Sequence, residues 1–212
     1  MSDFGKTPET AVEAKAGYHH GDLRAALLGA VRGLVEERGS QNFSIAEAAR
    51  KAGVSSAAPY RHFKDKPDIL KALVMEAMQD MARNMRAVMA PYPPESIERI
   101  NALGRCYIDF ARQHPGLFRL VFGVSECHEG DAELQGQGQN VFGVVIETVA
   151  NYLGIDPADP EAKLRAYMLW TVVHGHSWLA IDGKARQKNI DIPEDEFLRQ
   201  ISAGLIVPYR RA

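Results

Sequence analysis

Cysteine is scarce in this chain: Cys106 and Cys127 are the only two in 212 residues, one amid an apolar helical pattern and the other in a glycine-rich polar stretch. That scarcity argues against a disulfide framework or a zinc cluster, and free thiols are expected. Long apolar runs are missing as well. No stretch of about 18 uncharged apolar residues occurs, which leaves no candidate transmembrane helix, and Met1 to Gly17 lacks the basic and apolar regions of a secretory signal. A cytoplasmic location without a membrane partner is the expectation. Residues 1–17 also have few large apolar side chains and no sustained period, so a flexible tail is expected there. No phosphate loop or pair of catalytic carboxylates emerges, and no local signature places a histidine beside Cys106. No catalytic residue or cofactor is therefore assigned. His174 and His176 lie two apart on an expected helix and point to different faces, so they cannot grip one ion, and no metal site is expected.

An excess of one charge is absent too, with 25 Lys+Arg against 27 Asp+Glu and a net charge of −2. The distribution along the chain is uneven, however. From Gly17 to Lys71 there are nine bases (Arg24, Arg32, Arg38, Arg50, Lys51, Arg61, Lys64, Lys66, Lys71) and six acids (Asp22, Glu36, Glu37, Glu47, Asp65, Asp68). This segment is mildly basic and the remainder acidic, an excess too modest to establish nucleic-acid binding alone.

Period-two alternation is the last absence, and with it go β-strands; what is present repeats at helical spacing throughout. An all-α fold is predicted. Asp22 is a candidate N-cap for a first helix reaching Arg38, with Leu23, Leu27, Ala30, Val31 and Leu34 on one face and Gly39 as its stop. Ser44 and Glu47 form a capping box for a second helix, Phe43 can staple against Ala48, and Gly53 ends it. A short third helix is expected after Val54, capped by Ser55 or Ser56 and ending near Phe63. Asp65 with Asp68 opens a long helix to about Met89, and Pro91 to Pro94 break it. Further helices are expected from Ile97 to His114, from Pro115 through Phe122, from about Val141 to Gly154, from Pro160 through Leu164 to Ile181, and from Pro193 through Ile206. Residues Gly123 to Gln139 read as a mobile loop or a late helix start.

The segment Ser44 to Phe63 carries the functional signal. A DNA-reading helix exposes short side chains at its N-terminal end and phosphate donors around them, while small residues behind admit the supporting helix. Ser55, Ser56, Ala57 and Ala58 keep the first turn slim enough for a major groove of roughly 12 Å. Tyr60, Arg61, His62, Lys64 and Lys66 bring hydroxyl, guanidinium, imidazole and ammonium donors, and Phe63 suits a buried anchor. With Ser44 at the start of the supporting helix, these are the DNA-binding candidates. The ordered combination of capping box, glycine turn, serine cap, slim turn, Tyr60-x-His62-Phe63 and a lysine at the next helix start resembles the TetR family of transcriptional regulators over about residues 22 to 75. Pro59 departs from the pattern, occupying a place where the family usually has a larger apolar residue; it should push Ala58 away from helical geometry.

In the second half, Tyr107, Phe110, Phe118, Phe122, Phe142, Met168, Trp170, His174 and Trp178 either pack a core or line a small-molecule pocket between helices. Trp170-Thr-Val-Val-His174-Gly175 resembles the Trp-x-x-x-His-Gly hallmark of one class of TetR-family C-terminal domains, and Tyr107 to Phe118 is similar to a segment of that class. The resemblance implies a helix-turn-helix domain over 18–65, an effector-binding and dimerisation domain over 66–212, and a homodimer through about 160–182 and 194–207, with Gly175 and Ser177 permitting close approach. It further implies a double-stranded operator, a small-molecule effector and, most often in the family, repression. The competing reading is a small-molecule enzyme with a helical pocket around His174 and Cys106; a regulator of partner proteins without an effector is the third.

Overall fold

The computed structural model describes residues 20–123, 130–189 and 193–206, so the tail, His19 and Cys127 lie outside the described residues. Among those residues the elements are helical and no strand occurs. The first helix, α1 (His20–Arg38), is already formed at His20, which places Asp22 inside the helix rather than at its cap. α2 (Ile45–Lys51) starts where its caps dictate: the Ser44 hydroxyl accepts from the Glu47 N–H at 3.2 Å while the Glu47 carboxylate accepts from the Ser44 N–H at 2.8 Å. Phe43 and Ala48 are buried in one cluster, as the staple requires. The chain then reverses at Gly53, whose φ of +72° is open to glycine and strained for other residues.

No third α-helix follows. Residues 55–58 form turns and a 3-10 segment, Pro59–Arg61, continues them. Pro59 has no N–H to donate to Ser55, so the Ser55 carbonyl instead accepts from Ala58 at 3.0 Å, and i to i+3 bonding persists through Arg61 and His62. Neither Ser55 nor Ser56 caps it: the cap position is Ala58, which has helical φ and ψ of −63° and −40°, against the expectation that proline would exclude them.

α3 (Lys66–Met89) begins with Asp65 accepting from Asp68 N–H, and serves two cores. Its first half, including Ile69, Leu73 and Ala77, packs with α1 and α2; its second half, Met81, Met85 and Met89, packs with the C-terminal helices. The expected division at 65/66 thus falls at the start of a helix common to both. α4 (Ile97–Gln113), α6 (Ala132–Leu153) and α7 (Pro160–Ile181) complete the larger core around α3. α6 begins at Ala132, within the stretch the sequence left open between mobile loop and helix start and nine residues ahead of the expected Val141, where Asp131 accepts from the Glu133 and Leu134 N–H groups; residues 124–129 of that stretch lie outside the described residues. A short α8 (Lys184–Gln187), unforeseen in the sequence, precedes α9 (Glu194–Leu205), which lies against α4 and α7.

Between α4 and α6 sits α5 (Pro115–Phe122), whose two faces enter different cores. Leu117, Leu120 and Val121 join the α1–α2 cluster, while Phe118 is fully buried in the other. Its N-terminus is held by α1: the Glu36 carboxylate accepts from the Gly116 and Leu117 N–H groups at 2.8 and 3.0 Å. Approach there is tight, since a Cβ on Gly116 would sit 2.5 Å from the Val35 carbonyl oxygen.

Candidate functional site

The turn after α2 presents an outward row. Ser55, Ser56, Ala57, Tyr60, Arg61 and Lys64 are all exposed, with Tyr60 at 61% of its full accessibility. Phe63 is buried at 4% beneath them with the Arg24 guanidinium 5.4 Å above its ring, so it is the anchor that the sequence suggested. Ser44 is exposed but its hydroxyl is engaged in the capping box.

Two expected donors are spent or turned inward. Lys66 places its ammonium 4.2 Å from the Phe43 ring centre and donates to the Gln41 and Phe43 carbonyls at 3.0 and 2.8 Å. It ties α3 to the α1–α2 connection, and burial lowers its pKa. His62 is half-buried, with Nε2 enclosed and without a hydrogen-bond partner among the described residues. Of the five donors expected beyond the slim turn, Tyr60, Arg61 and Lys64 are the ones exposed at the surface.

In the C-terminal half, a cavity of about 380 Å³ opens between α3, α4, α6 and α7 and the end of α5. Its wall includes Tyr107, Phe122, Phe142 and Trp170 from the expected set. It also includes Met78, Met81, Met85 and Val145, which sequence reasoning missed as pocket residues. The helical repeat of the α3 methionines was legible, but a methionine stripe on a long helix carries no mark that separates core from cavity wall. A second, tighter cavity of about 40 Å³ shares Met85, Tyr107, Val145 and Trp170 and extends toward Leu198 of α9.

The remaining candidates lie outside these walls. Phe118 is fully buried, packed edge-on to Tyr107 at 5.8 Å and to Trp178 at 5.4 Å between ring centres. Phe110 packs against Phe118 at 6.3 Å, and Met168 takes a weak contact from Arg165 at 3.8 Å. His174 and Trp178 are not wall residues themselves, but the His174 ring packs against Tyr107, Phe122 and Trp170 of the wall. Trp178 Nε1 donates to His174 Nε2 at 2.9 Å, His174 Nδ1 is 2.7 Å from the Tyr107 hydroxyl, and Trp170 Nε1 donates to that hydroxyl at 3.4 Å. Burial lowers the His174 pKa and raises that of Tyr107, so both stay neutral near pH 7.

The pairing of His174 with Cys106 does not form. Cys106 opens instead onto grooves shared with Asp109, where burial and the nearby carboxylate raise the thiol pKa and keep it protonated. Ser177, expected to ease close approach of a second copy, is fully buried and donates to the Val173 carbonyl at 2.8 Å. The face of α7 turned outward instead carries Leu164, Tyr167, Val172, Gly175 and Leu179. Among the described residues, no group of three or more potential metal ligands occurs and no helix is long and apolar enough to cross a membrane.

Comparison with known proteins agrees with this geometry. The nucleoid occlusion factor SlmA of Haemophilus influenzae (strain PittGG) is 32% identical over 109 residues, covering 51% of this chain and 49% of that protein. The chain thus spans about half the length of that curated relative. A protein of unknown function from Rhodococcus sp. RHA1 superposes with a TM-score of 0.77 at 27% identity, over 93% of this chain and all of the other. The transcriptional regulator FadR from Bacillus subtilis, solved in complex with stearoyl-CoA, has a TM-score of 0.61 at 15% identity over 86% of this chain and 97% of its own, which is a likeness of fold. Residues 27–73 match the model for bacterial regulatory proteins of the tetR family, and residues 100–203 match the tetracyclin repressor-like C-terminal domain. With both the capped helix-turn segment and the helical C-terminal half accounted for, the chain belongs to the TetR family of bacterial regulatory proteins.

Proposed function

We propose that this protein is a homodimeric DNA-binding transcription regulator, acting as a repressor that a small molecule releases from a palindromic operator. The observation that carries the reading is the exposed row Ser55, Ser56, Ala57, Tyr60, Arg61 and Lys64, standing on a buried Phe63 within the segment that matches the family. Two such rows related by a twofold axis meet successive major grooves roughly 34 to 36 Å apart. Tyr60 and Lys64 hold phosphates, Arg61 reaches base edges, and the slim serine-alanine turn leaves DNA shape a large part in recognition.

The cavity of about 380 Å³ is the effector site in this reading. Its occupancy is felt at the DNA through α5, whose Phe122 lines the cavity while Leu117, Leu120 and Val121 sit in the α1–α2 core. A ligand that prefers one setting of α5 changes operator affinity by its differential binding, on the order of 1 to 3 kcal/mol.

The test is salt-dependent retention of DNA from around the protein's own gene. Lys64→Ala should weaken binding to all sequences alike and lower the slope of log affinity against log salt by about one, and Tyr60→Ala should weaken it without changing sequence preference. Wild-type protein that retains no such DNA sinks the regulator reading. Variants that bind as wild type sink only the contacts.

A further inference from the structure

Trp170, His174 and Trp178 follow one another at single-turn spacing along α7, and with Tyr107 of α4 they form a relay whose proton directions are fixed by chemistry. An indole N–H donates and never accepts. Because Trp178 Nε1 lies 2.9 Å from His174 Nε2, that imidazole nitrogen must carry the lone pair. The single ring proton is then on Nδ1, which donates over 2.7 Å to the Tyr107 oxygen. Trp170 Nε1 donates to the same oxygen at 3.4 Å. Both acceptor positions of the phenol are taken, and its own hydrogen has no acceptor among the described residues.

That hydrogen belongs to a residue of the cavity wall. Tyr107 and Trp170 line both cavities, and no Asp, Glu, Lys or Arg lines either one. An ionic ligand would lose its hydration there without a counter-charge, at a cost the apolar wall does not repay. A ligand's donor finds the phenol oxygen already saturated, and of the other polar side chains on the walls Gln139 is solvent-exposed while the Ser202 hydroxyl is committed to Asn101 Oδ1 and the Leu198 carbonyl. We propose that the cavity selects neutral, mainly apolar molecules bearing a carbonyl oxygen, such as ketones, esters or lactones, which accept a hydrogen bond from Tyr107. In this arrangement Trp178 is a positioning residue: its N–H fixes the imidazole tautomer that turns the phenol hydrogen toward the ligand. The proposal rests on the cavity being the effector site.

Three shape-related probes test it on the full chain: benzophenone, diphenylmethane, which lacks the oxygen, and the anionic 2-benzoylbenzoate. Benzophenone should bind about fivefold more tightly than diphenylmethane, the usual worth of one neutral hydrogen bond. Its carbonyl stretch should move to lower wavenumber in the bound state and return in Tyr107→Phe, where diphenylmethane affinity is kept. In Trp178→Phe the imidazole is free to carry its proton on Nε2 and accept the phenol hydrogen at Nδ1, so the benzophenone preference and the carbonyl shift should both shrink. Nitrogen NMR of the wild type should place the His174 proton on Nδ1, a readout that needs no ligand. Equal affinity for the two neutral probes, an unshifted carbonyl, tighter binding of the anion, binding of none, or a proton on Nε2 overturns the proposal. DNA retention measured on the same samples separates the two readings: if it persists while the ketone preference fails, only the ligand class is lost.

Discussion

His174 shows how one side chain can be read only through its partners. With Trp178 on Nε2 and Tyr107 on Nδ1, the ring is held neutral in the folded state, and burial lowers its pKa. His176 is shifted the same way by burial and by Arg112, with its ring 4.2 Å from that of Phe197. In the unfolded chain both imidazoles take up a proton near the ordinary value of about 6.5. Between that value and their lowered folded values the unfolded state binds more protons, so stability rises with pH in this window and is lost as pH falls through it. The melting temperature should therefore drop as pH is lowered from 7 to about 5.5, and His174→Gln should flatten the slope. A melting temperature independent of pH over this range would contradict the assignment.

At the scale of the element, α5 is the piece that no single core owns. Glu36 on α1 holds its first turn through two backbone N–H groups, a carboxylate placed where the helix dipole favours negative charge. Glu36→Ala should cost about 1 to 2 kcal/mol in denaturant unfolding. It should also weaken the linkage between cavity and DNA surface, seen as a smaller effector-induced change in operator affinity. Gly116→Ala has no room to relax, because the Val35 carbonyl and the Glu36 backbone face the new methyl group, and about 1 to 3 kcal/mol should be lost. Unchanged stability in both variants would mean that α5 is not clamped to α1.

For the whole molecule, the unpaired surface is that of α7. Leu164 is 49% exposed, Tyr167 55% and Leu179 50%, although the opposite side of the same helix is deeply buried. Apolar residues on both sides of a helix call for a second layer of protein, and beside it α9 offers the small exposed residues Ala203 and Gly204. In the proposed homodimer, a twofold pairing of α7 and α9 would cover this face and bring the two proposed DNA-contacting rows into register. Leu164→Glu combined with Leu179→Glu should shift sedimentation from dimer to monomer, keep the helical circular dichroism and reduce operator affinity. A wild-type chain that sediments as a monomer at micromolar concentration would refute the pairing.

Much of this was legible in the chain because it is governed by neighbours in sequence. The Ser44–Glu47 box, the turn at Gly53, the start of α3 at Asp65 and the break after Met89 each depend on residues within four positions of one another. The family likeness drew on the same local pattern. What differed was decided at longer range or by one missing atom: the absent N–H of Pro59 turned an expected helix into a 3-10 segment, and the Phe43 ring with the Gln41 and Phe43 carbonyls engaged the Lys66 ammonium. The sequence by itself determined an all-helical chain with a capped helix-turn segment, since caps, turns and the 3.6 period act locally. Which aromatics pack and which line a cavity, and which groups surround the Tyr107 hydroxyl, only the tertiary structure decided. Those outcomes depend on side chains more than 60 positions apart in sequence, such as Tyr107 and His174, whose pairing no local spacing records.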